Sequence, residues 1–234
     1  MHNITDNINQ VSASLQQSAQ QFDRSVDEIM LLAVSKGQNS RALRLAWQAG
    51  LKNFGENYLQ EALEKITALD DIDPCWHFIG PIQSNKTQDI ARHFSWVHSI
   101  ERLKIARRLS QQRPDDLPPL NVCIQVNIDR EASKSGVDPE HCLELALAIH
   151  ELPRLKLRGL MIIPQQRDQL DAQRQPYRQA AELLDKLKKS SAALTSLDTL
   201  SMGMSGDMSA AIAEGATIVR VGTAIFGART QPRP

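Results

Sequence analysis

Short apolar runs alternate with longer segments of mixed apolar and polar residues along the whole chain. The runs have the length of β-strands buried on both faces, and the longer segments have the apolar spacing of amphipathic helices. This pattern predicts eight strands, of which the second is supported by the fewest residues. They are expected at residues 29–35, 53–54, 76–79, 96–100, 122–128, 157–163, 197–202 and 217–221.

Residues that cap or stop helices lie between these runs. Ser40 is placed to cap a helix that Gly50 stops, and Pro139 after Asp138 marks the start of another. Further helices are expected from Ser84, across 171–190 with Pro176 inside it, and from Asp207 to Gly215.

Strand-then-helix units of this length, repeated eight times, predict a parallel (β/α)8 barrel of the TIM type. An extra amphipathic helix over residues 4–22 precedes the first strand, and residues 228–234 form a tail. No linker or repeat interrupts the pattern, so we expect one domain over 1–234. An open doubly wound sheet is the alternative, but its G-x-G-x-x-G fingerprint is absent after the first strand.

Composition narrows the class of partner. Lys plus Arg and Asp plus Glu both number 27, which gives no electrostatic case for nucleic acid or an anionic membrane. The three cysteines are widely spaced without a C-x-x-C motif, and neither a signal peptide nor a membrane-length apolar run is visible. We therefore expect a cytoplasmic protein without a metal site or a disulfide framework.

Lys36 directly follows the first apolar run and precedes Gly37. Active groups of such barrels lie at the carboxyl ends of the strands. A lysine in apolar surroundings has a lowered pKa and can attack a carbonyl to form a Schiff base. From spacing alone, an ordinary surface lysine remains the alternative.

Small residues follow the last two strands, where barrels commonly bind phosphate. Ser201 begins the stretch S-M-G-M-S, and Gly222 and Thr223 follow the eighth strand. Glycine lets backbone N–H groups approach an anion, and hydroxyls add donors. Packing at strand ends is the alternative reading of each stretch. An amine for an aldehyde together with a phosphate cradle describes pyridoxal 5′-phosphate (PLP).

Arg220 lies two residues before Gly222 and therefore faces the same side of the strand. If that side is the barrel interior, a permanent cation would donate to the pyridine nitrogen of PLP and leave the ring a weak electron sink. An outward Arg220 paired with a helix carboxylate is the alternative.

The chain resembles the pyridoxal phosphate homeostasis proteins, which are similar to the N-terminal domain of alanine racemases. The motifs that carry this resemblance are A-V-S-K (33–36), F-G-E-N-Y-x-Q-E (54–61), W-H-F-I-G-P-I-Q-S-N-K (76–86), S-K-S-G (133–136), L-R-G-L-M (157–161), L-S-M-G-M-S-x-D-M (200–208) and R-V-G-T-A-I-F-G (220–227).

The resemblance implies PLP bound covalently to Lys36, phosphate contacts from Ser201, Gly222 and Thr223, Arg220 at the ring nitrogen, and Asn57 and Met161 lining the pocket. It also implies a mostly monomeric, non-catalytic carrier that buffers PLP or delivers it transiently to PLP-dependent apoenzymes. Two departures are Gln38, where a second basic residue is expected, and a C-terminus that is poor in lysine.

A PLP-dependent amino-acid racemase is the alternative function. A two-base racemase needs a second base opposite the lysine. In the related racemases that base is a Tyr from an added β-domain of a partner subunit, and this chain ends shortly after the eighth strand. Its tyrosines are Tyr58 and Tyr177, and we expect Tyr177 to lie away from the barrel mouth. The binding function is therefore favoured.

Other residues are open to more than one reading. Lys134 is either a second amine near the cofactor or a solvated loop charge. His77 is better read as a core or capping residue than as a pocket residue. Glu56 is better read as a helix cap than as a general base. For Met202 and Met204 we expect a packing role.

Overall fold

The computed structural model describes residues 3–131 and 134–227. Within them, eight parallel strands close into a barrel in which each strand pairs with the next and β8 pairs with β1. The predicted barrel is confirmed, and the open sheet is wrong. The strands are β1 (Met30–Val34), β2 (Asn53–Glu56), β3 (Cys75–Phe78), β4 (Trp96–Ile100), β5 (Leu120–Val126), β6 (Leu155–Ile162), β7 (Thr199–Ser201) and β8 (Ile218–Val221).

Helices form the outer layer of the barrel. In the described ranges they are α1 (Ile4–Gln21), α2 (Ser40–Gln48), α3 (Leu59–Ala68), α4 (Thr87–His93), α5 (Leu103–Gln112), α6 (Cys142–His150), α7 (Leu170–Ser190), α8 (Met208–Ala213) and α9 (Thr223–Phe226). Short 3-10 turns lie at Val26–Glu28, Ser84–Lys86, Pro139–His141 and Ala192–Leu194. Pro176 lies inside α7.

The extra helix α1 covers the seam at which the last strand meets the first. Ile8, Val11 and Leu15 form its buried face, as the helical spacing predicts. The helix contacts α2, α8 and α9, and Asn7 donates a hydrogen bond to the carbonyl of Ile225 over 2.9 Å. The predicted tail, residues 228–234, lies outside the described residues.

Some predicted boundaries differ from the structure. The second strand continues through Glu56, beyond the two residues expected. Asn39 rather than Ser40 caps α2, because its side-chain oxygen accepts a hydrogen bond from the N–H of Ala42 over 3.0 Å. Asp207 precedes α8 without capping it through its side chain, and instead accepts from the N–H of Met204 over 2.6 Å.

Side chains alternate between two buried layers along each strand. Leu32, Trp96, Cys123, Met161 and Ile218 form the apolar cluster inside the barrel. A larger core fills the space between the strands and the helices. Leu32 of the interior cluster is opposite Arg220 in the β1–β8 register, so β8 presents Arg220 to the interior.

Within the described residues, no helix combines the length and the apolar character needed to cross a lipid bilayer.

Candidate functional site

The residues predicted to hold the cofactor lie along five consecutive strands of the closed barrel, from β6 through β8 to β1 and β2. Met161 is in β6, Ser201 in β7 and Arg220 in β8, while Lys36 and Asn57 follow β1 and β2. Val34 pairs with Gly55 on one side, and Gly222 approaches Val34 from the other. The fold therefore brings the predicted residues to one side of the barrel.

Lys36 lies in a tight turn at the end of β1. The N–H of Ser35 extends the strand pairing by donating to the carbonyl of Gly55 over 3.0 Å. The N–H of Gln38 closes the turn by donating to the carbonyl of Ser35, also over 3.0 Å. Gly37 has φ +72°, which glycine adopts without strain at the third position of a turn. This turn places Lys36, which is half-buried, at the second position.

A buried charged group lies behind this turn, and we call Ser35, Glu56, Glu61 and Lys65 the Lys65 cluster. The Lys65 ammonium donates to the carbonyl of Ser35 over 2.7 Å, to Glu56 over 2.6 Å and to Glu61 over 2.5 Å. Glu56 also accepts from the Ser35 hydroxyl over 2.6 Å, and Glu61 accepts from the N–H of Gly37 over 2.6 Å. The turn is thus bonded to the cluster on both sides of Lys36.

Glu56 is fully buried, and its Oε2 has no hydrogen-bond partner among the described residues. Burial raises the pKa of Glu56 to about 6, although Lys65 and Ser35 act to lower it. The expectation that Glu56 caps the next helix is wrong. Tyr58 stands at the start of α3 without a side-chain capping bond, and the Glu56 carboxylate is held by Lys65 instead.

A second polar group crosses the barrel interior, and we call its members the histidine chain: Asn53, His77, His98, Ser201 and Arg220. His77 Nε2 lies 3.2 Å from Asn53 Oδ1, His77 Nδ1 lies 3.0 Å from His98 Nε2, and His98 Nδ1 lies 2.8 Å from Ser201 Oγ. Arg220 donates to Ser201 Oγ over 3.0 Å and to the Ser201 carbonyl over 2.5 Å.

One proton arrangement satisfies every bond of the chain. Asn53 Oδ1 only accepts, so His77 carries its proton on Nε2 and accepts through Nδ1. His98 then donates from Nε2 and accepts through Nδ1 from the Ser201 hydroxyl, which in turn accepts from Arg220. All donors point the same way, and both imidazoles are neutral.

Burial keeps the imidazoles neutral. It lowers the pKa of His77 to about 3, and it lowers the pKa of His98 well below its usual value, with help from the nearby His77 and Arg220. Two buried neutral imidazoles therefore link Asn53 to the Arg220 guanidinium. The preferred reading of His77 as a core residue is confirmed, since the side chain is fully buried.

Arg220 points into the barrel. Its guanidinium is buried and donates to the carbonyl of Ile162 over 2.8 Å in addition to its bonds with Ser201. The alternative of an outward Arg220 paired with a helix carboxylate is wrong. The same bonds occupy the Ser201 hydroxyl, which faces the interior rather than the mouth. The exposed hydroxyl of the stretch after β7 belongs to Ser205.

Gly222 and Thr223 lie at the rim next to β1. A Cβ on Gly222 would lie 3.1 Å from the carbonyl oxygen of Val34, so a side chain there would crowd the strand that leads to Lys36. Helix α9 begins at Thr223, which is exposed. The N–H groups of Ile225 and Phe226 donate to the Gly222 carbonyl, whereas the N–H groups of Thr223 and Ala224 at the start of the helix have no acceptor within it. These groups can donate to an anion.

The other residues considered from the sequence lie in loops that follow strands, and they are Asn57 after β2, Lys134 after β5, and Met202 and Met204 after β7. Lys134 forms an ion pair with Glu131, and its ammonium lies 3.4 Å from the carbonyl oxygen of Ile163, near the end of β6. Met202 is buried as expected, whereas Met204 is exposed. Asn57 Oδ1 is buried without a hydrogen-bond partner among the described residues.

Tyr177 lies closer to the site than expected. Its side chain is buried, and burial raises the pKa of its hydroxyl, with a further contribution from Asp207 in the loop after β7. Arg220 is also near enough to act on it electrostatically. The sequence places Tyr177 in a helix, but it does not reveal that this helix packs close to the loop after β7.

Comparison with known proteins places the chain in a family. The family model described as the alanine racemase N-terminal domain matches residues 7–230. The pyridoxal phosphate homeostasis protein of Pseudomonas aeruginosa is 55% identical over 234 residues, which cover 100% of this chain and 99% of that protein. This chain belongs to the pyridoxal phosphate homeostasis protein family. The resemblance carried by the sequence motifs is confirmed.

Solved structures agree with this family assignment. PipY of Synechococcus elongatus PCC7942 with PLP bound has a TM-score of 0.83 and 33% identity, and the match covers 96% of this chain and 100% of PipY. An alanine racemase of Clostridium difficile 630 in complex with cycloserine has a TM-score of 0.78 at 12% identity, and the match covers 61% of the racemase. The racemase therefore shows a shared fold alone.

Several residues of the histidine chain and the Lys65 cluster were not predicted from the sequence, among them Asn53, His98, Glu61 and Lys65. His98 follows the interior parity of β4, two positions after Trp96, and this spacing was the available signal. Glu61 and Lys65 are four residues apart in α3, the spacing of an ion pair on one helix face. Nothing in the sequence indicates that this pair reaches across to the turn after β1.

Proposed function

We propose that this protein binds PLP as a Schiff base on Lys36 and takes part in intracellular PLP homeostasis by buffering the cofactor or delivering it. We further propose that it acts in the cytoplasm as a monomer, contacts PLP-dependent apoenzymes only transiently, and has no significant turnover. The observation that carries the proposal is that Arg220 in β8 and Gly222 just after it lie beside β1, the strand that leads to Lys36.

The residues at this end of the barrel fit PLP. Lys36 supplies a primary amine in a constrained turn, and PLP, when bound, supplies the aldehyde that condenses with an amine. Asn57 offers a buried acceptor oxygen that has no partner among the described residues. Gly222 leaves the space in which a Cβ would crowd β1.

Arg220 is the proposed partner of the pyridine nitrogen. Its guanidinium is a permanent cation that only donates hydrogen bonds, so it favours an unprotonated ring nitrogen. A ring without that proton is a weak electron sink, and this supports binding without racemase, transaminase or decarboxylase turnover. Met161 is the proposed apolar lining, since it belongs to the interior cluster.

The phosphate group is assigned to the rim. We place it against the backbone N–H and hydroxyl of Thr223 and the backbone N–H of Gly222, and we keep the predicted contact of Ser201 through its backbone N–H, since its carbonyl accepts from Arg220. The Ser201 hydroxyl is bonded to His98 and Arg220, so the exposed Ser205 is the better hydroxyl donor in that loop.

A racemase is the second candidate, favoured by the family model that matches the chain. A second base opposite Lys36 would be needed. Tyr177 does not suit that role, because its hydroxyl is buried with a raised pKa beside Asp207. The relatives with high identity are named homeostasis proteins, which supports the binding function.

The proposal is tested by comparing PLP with pyridoxal, which lacks the phosphate, on the purified protein and on Gly222→Val. We expect the wild type to bind PLP far more tightly than pyridoxal, and the variant to lose PLP affinity while remaining folded. Equal affinity for the two compounds would contradict the phosphate assignment. Racemisation of alanine at an ordinary enzymatic rate, on the order of 1–10³ per second, would favour the racemase.

A further inference from the structure

We infer that Glu61 and Lys65 are positioning residues, which hold the turn around Lys36 in the geometry that covalent attachment of the cofactor requires. The inference rests on the proposed function, because it concerns how the Lys36 amine is presented to an aldehyde. Neither residue is expected to touch the cofactor.

Glu61 and Lys65 bond to the backbone on both sides of Lys36. The Lys65 ammonium donates to the carbonyl of Ser35 over 2.7 Å, and the Glu61 carboxylate accepts from the N–H of Gly37 over 2.6 Å. The peptide groups that precede and follow Lys36 are therefore anchored to the same helix, α3. A turn anchored at both flanks has little freedom to move the backbone from which the Lys36 side chain extends.

The Lys65 ammonium is buried, and all of its hydrogen-bond donors are used. An ammonium has three N–H donors. Those of Lys65 go to Ser35, Glu56 and Glu61, all within 2.7 Å. The Lys65 side chain is 5% exposed, so water screens these bonds little. The link between α3 and the turn is therefore stiff.

The Lys65 cluster joins three elements, namely the turn after β1, the end of β2 and helix α3. Glu56 ends β2 and bonds to the Ser35 hydroxyl of the turn, while Glu61 and Lys65 lie on one face of α3, four residues apart. Hydrogen bonds therefore hold the end of β1 against both its neighbouring strand β2 and helix α3. Attack on a carbonyl depends steeply on such placement, because a misplacement of about 1 Å costs on the order of 100-fold in rate.

Covalent attachment of PLP to Lys36 and non-covalent binding of PLP are assigned to different residues. The contacts to the ring nitrogen and the phosphate are assigned to β7, β8 and the residues that follow them, whereas the cluster acts on the turn after β1. Loosening the turn should therefore slow covalent attachment and leave non-covalent binding nearly unchanged. Pyridoxamine 5′-phosphate reports the latter, because it carries an amine where PLP has its aldehyde and cannot condense with Lys36.

The experiment compares Glu61→Ala with Glu61→Gln, which keeps an acceptor oxygen for Gly37 and Lys65. Glu64→Ala, an exposed position on the same helix, is the matched control. Borohydride trapping of PLP gives the attachment rate, and titration with pyridoxamine 5′-phosphate gives the non-covalent affinity. We expect Glu61→Ala to slow trapping at least tenfold, with affinity for the amine analogue within twofold of wild type, and Glu61→Gln and Glu64→Ala to match wild type.

Trapping by Glu61→Ala at the wild-type rate would overturn the inference. A parallel loss of trapping and of analogue affinity would also overturn it, since a merely structural role predicts both losses. Lys65→Met is a second variant with the same expected pattern, and Glu61→Ala decides if Lys65→Met does not fold. A wild-type protein that binds the analogue but forms no adduct on Lys36 would refute the proposed function instead.

Discussion

The histidine chain and the Lys65 cluster bury polar groups in opposite ways. In the chain, neutral imidazoles alternate donor and acceptor until they reach the Arg220 guanidinium. In the cluster, two carboxylates surround one ammonium. Both end at residues assigned to the cofactor, the chain at Arg220 and the cluster at the turn around Lys36.

The histidine chain and the Lys65 cluster constrain the residues at their ends in different ways. A chain of neutral groups fixes direction, since each donor determines the proton position of the next group, and a break leaves unsatisfied but uncharged partners. A buried ion cluster fixes position, and a break leaves an uncompensated charge, which costs more. In the proposed site, the histidine chain would orient the Arg220 guanidinium assigned to the ring, and the Lys65 cluster would place the Lys36 amine assigned to the aldehyde.

The largest effect is expected from Lys65→Met. The substitution leaves the Glu56 and Glu61 carboxylates buried or half-buried without their cation, and breaking a buried pair in this way costs about 3–5 kcal/mol. Urea unfolding measures the loss. Combining Lys65→Met with Glu56→Gln should recover part of it, because the buried charge is removed. A loss below about 1 kcal/mol for the single variant would show that the cluster does not hold these charges as described.

A smaller loss is expected from His98→Leu. It leaves His77 Nδ1 without its donor and the Ser201 hydroxyl without its acceptor, and unsatisfied neutral groups cost about 1–3 kcal/mol. Urea unfolding again applies, with the exposed His93→Leu as control. A His98→Leu variant as stable as the control, or less stable than Lys65→Met, would contradict the contrast between the two groups.

The smallest effect is a difference in pH dependence. The folded-state pKa of Glu56 is raised from 4.5 to about 6, so its neutral form stabilises the fold below pH 4.5 and this stability is lost as pH rises through 6. The folded-state pKa of His77 is lowered from 6.5 to about 3, so its contribution is present above pH 6.5 and lost as pH falls. The two groups therefore pull stability in opposite directions.

Unfolding free energies of wild type and Glu56→Gln between pH 4.5 and 7 isolate the Glu56 contribution. Relative to the variant, wild type should lose on the order of 1–2 kcal/mol as pH rises across this window. A constant difference between the two proteins would contradict a raised pKa at Glu56. If wild type instead gained stability relative to the variant as pH rises, the pKa of Glu56 would be lowered in the folded state rather than raised.

Features of the fold that depend on local sequence patterns could be predicted from the sequence. Strand-length runs and helix caps indicated the barrel, and the strand-end position of Lys36 indicated the side on which the site lies. The inward direction of Arg220 was one of two alternatives, because alternation tells which residues share a face but not which face is inside.

The features that could not be predicted depend on contacts between residues far apart in the sequence. His98 and Ser201 are 103 residues apart, so no local pattern links them. Ser201 was assigned to phosphate because hydroxyls after the seventh strand often serve that purpose, but a strand-end hydroxyl also faces the interior when its parity requires it. The role of Lys65 was hidden for the same reason, since the helical pair with Glu61 looks like an ordinary surface pair.

The central claim is that Lys36 carries PLP. The most direct measurement is borohydride reduction of the purified protein after incubation with PLP, followed by peptide mapping, with Lys36→Ala as the matched variant. We expect a visible absorbance band that disappears on reduction, an adduct on Lys36 in the wild type, and no adduct in the variant. An adduct confined to Lys134, or no adduct at all, would contradict it.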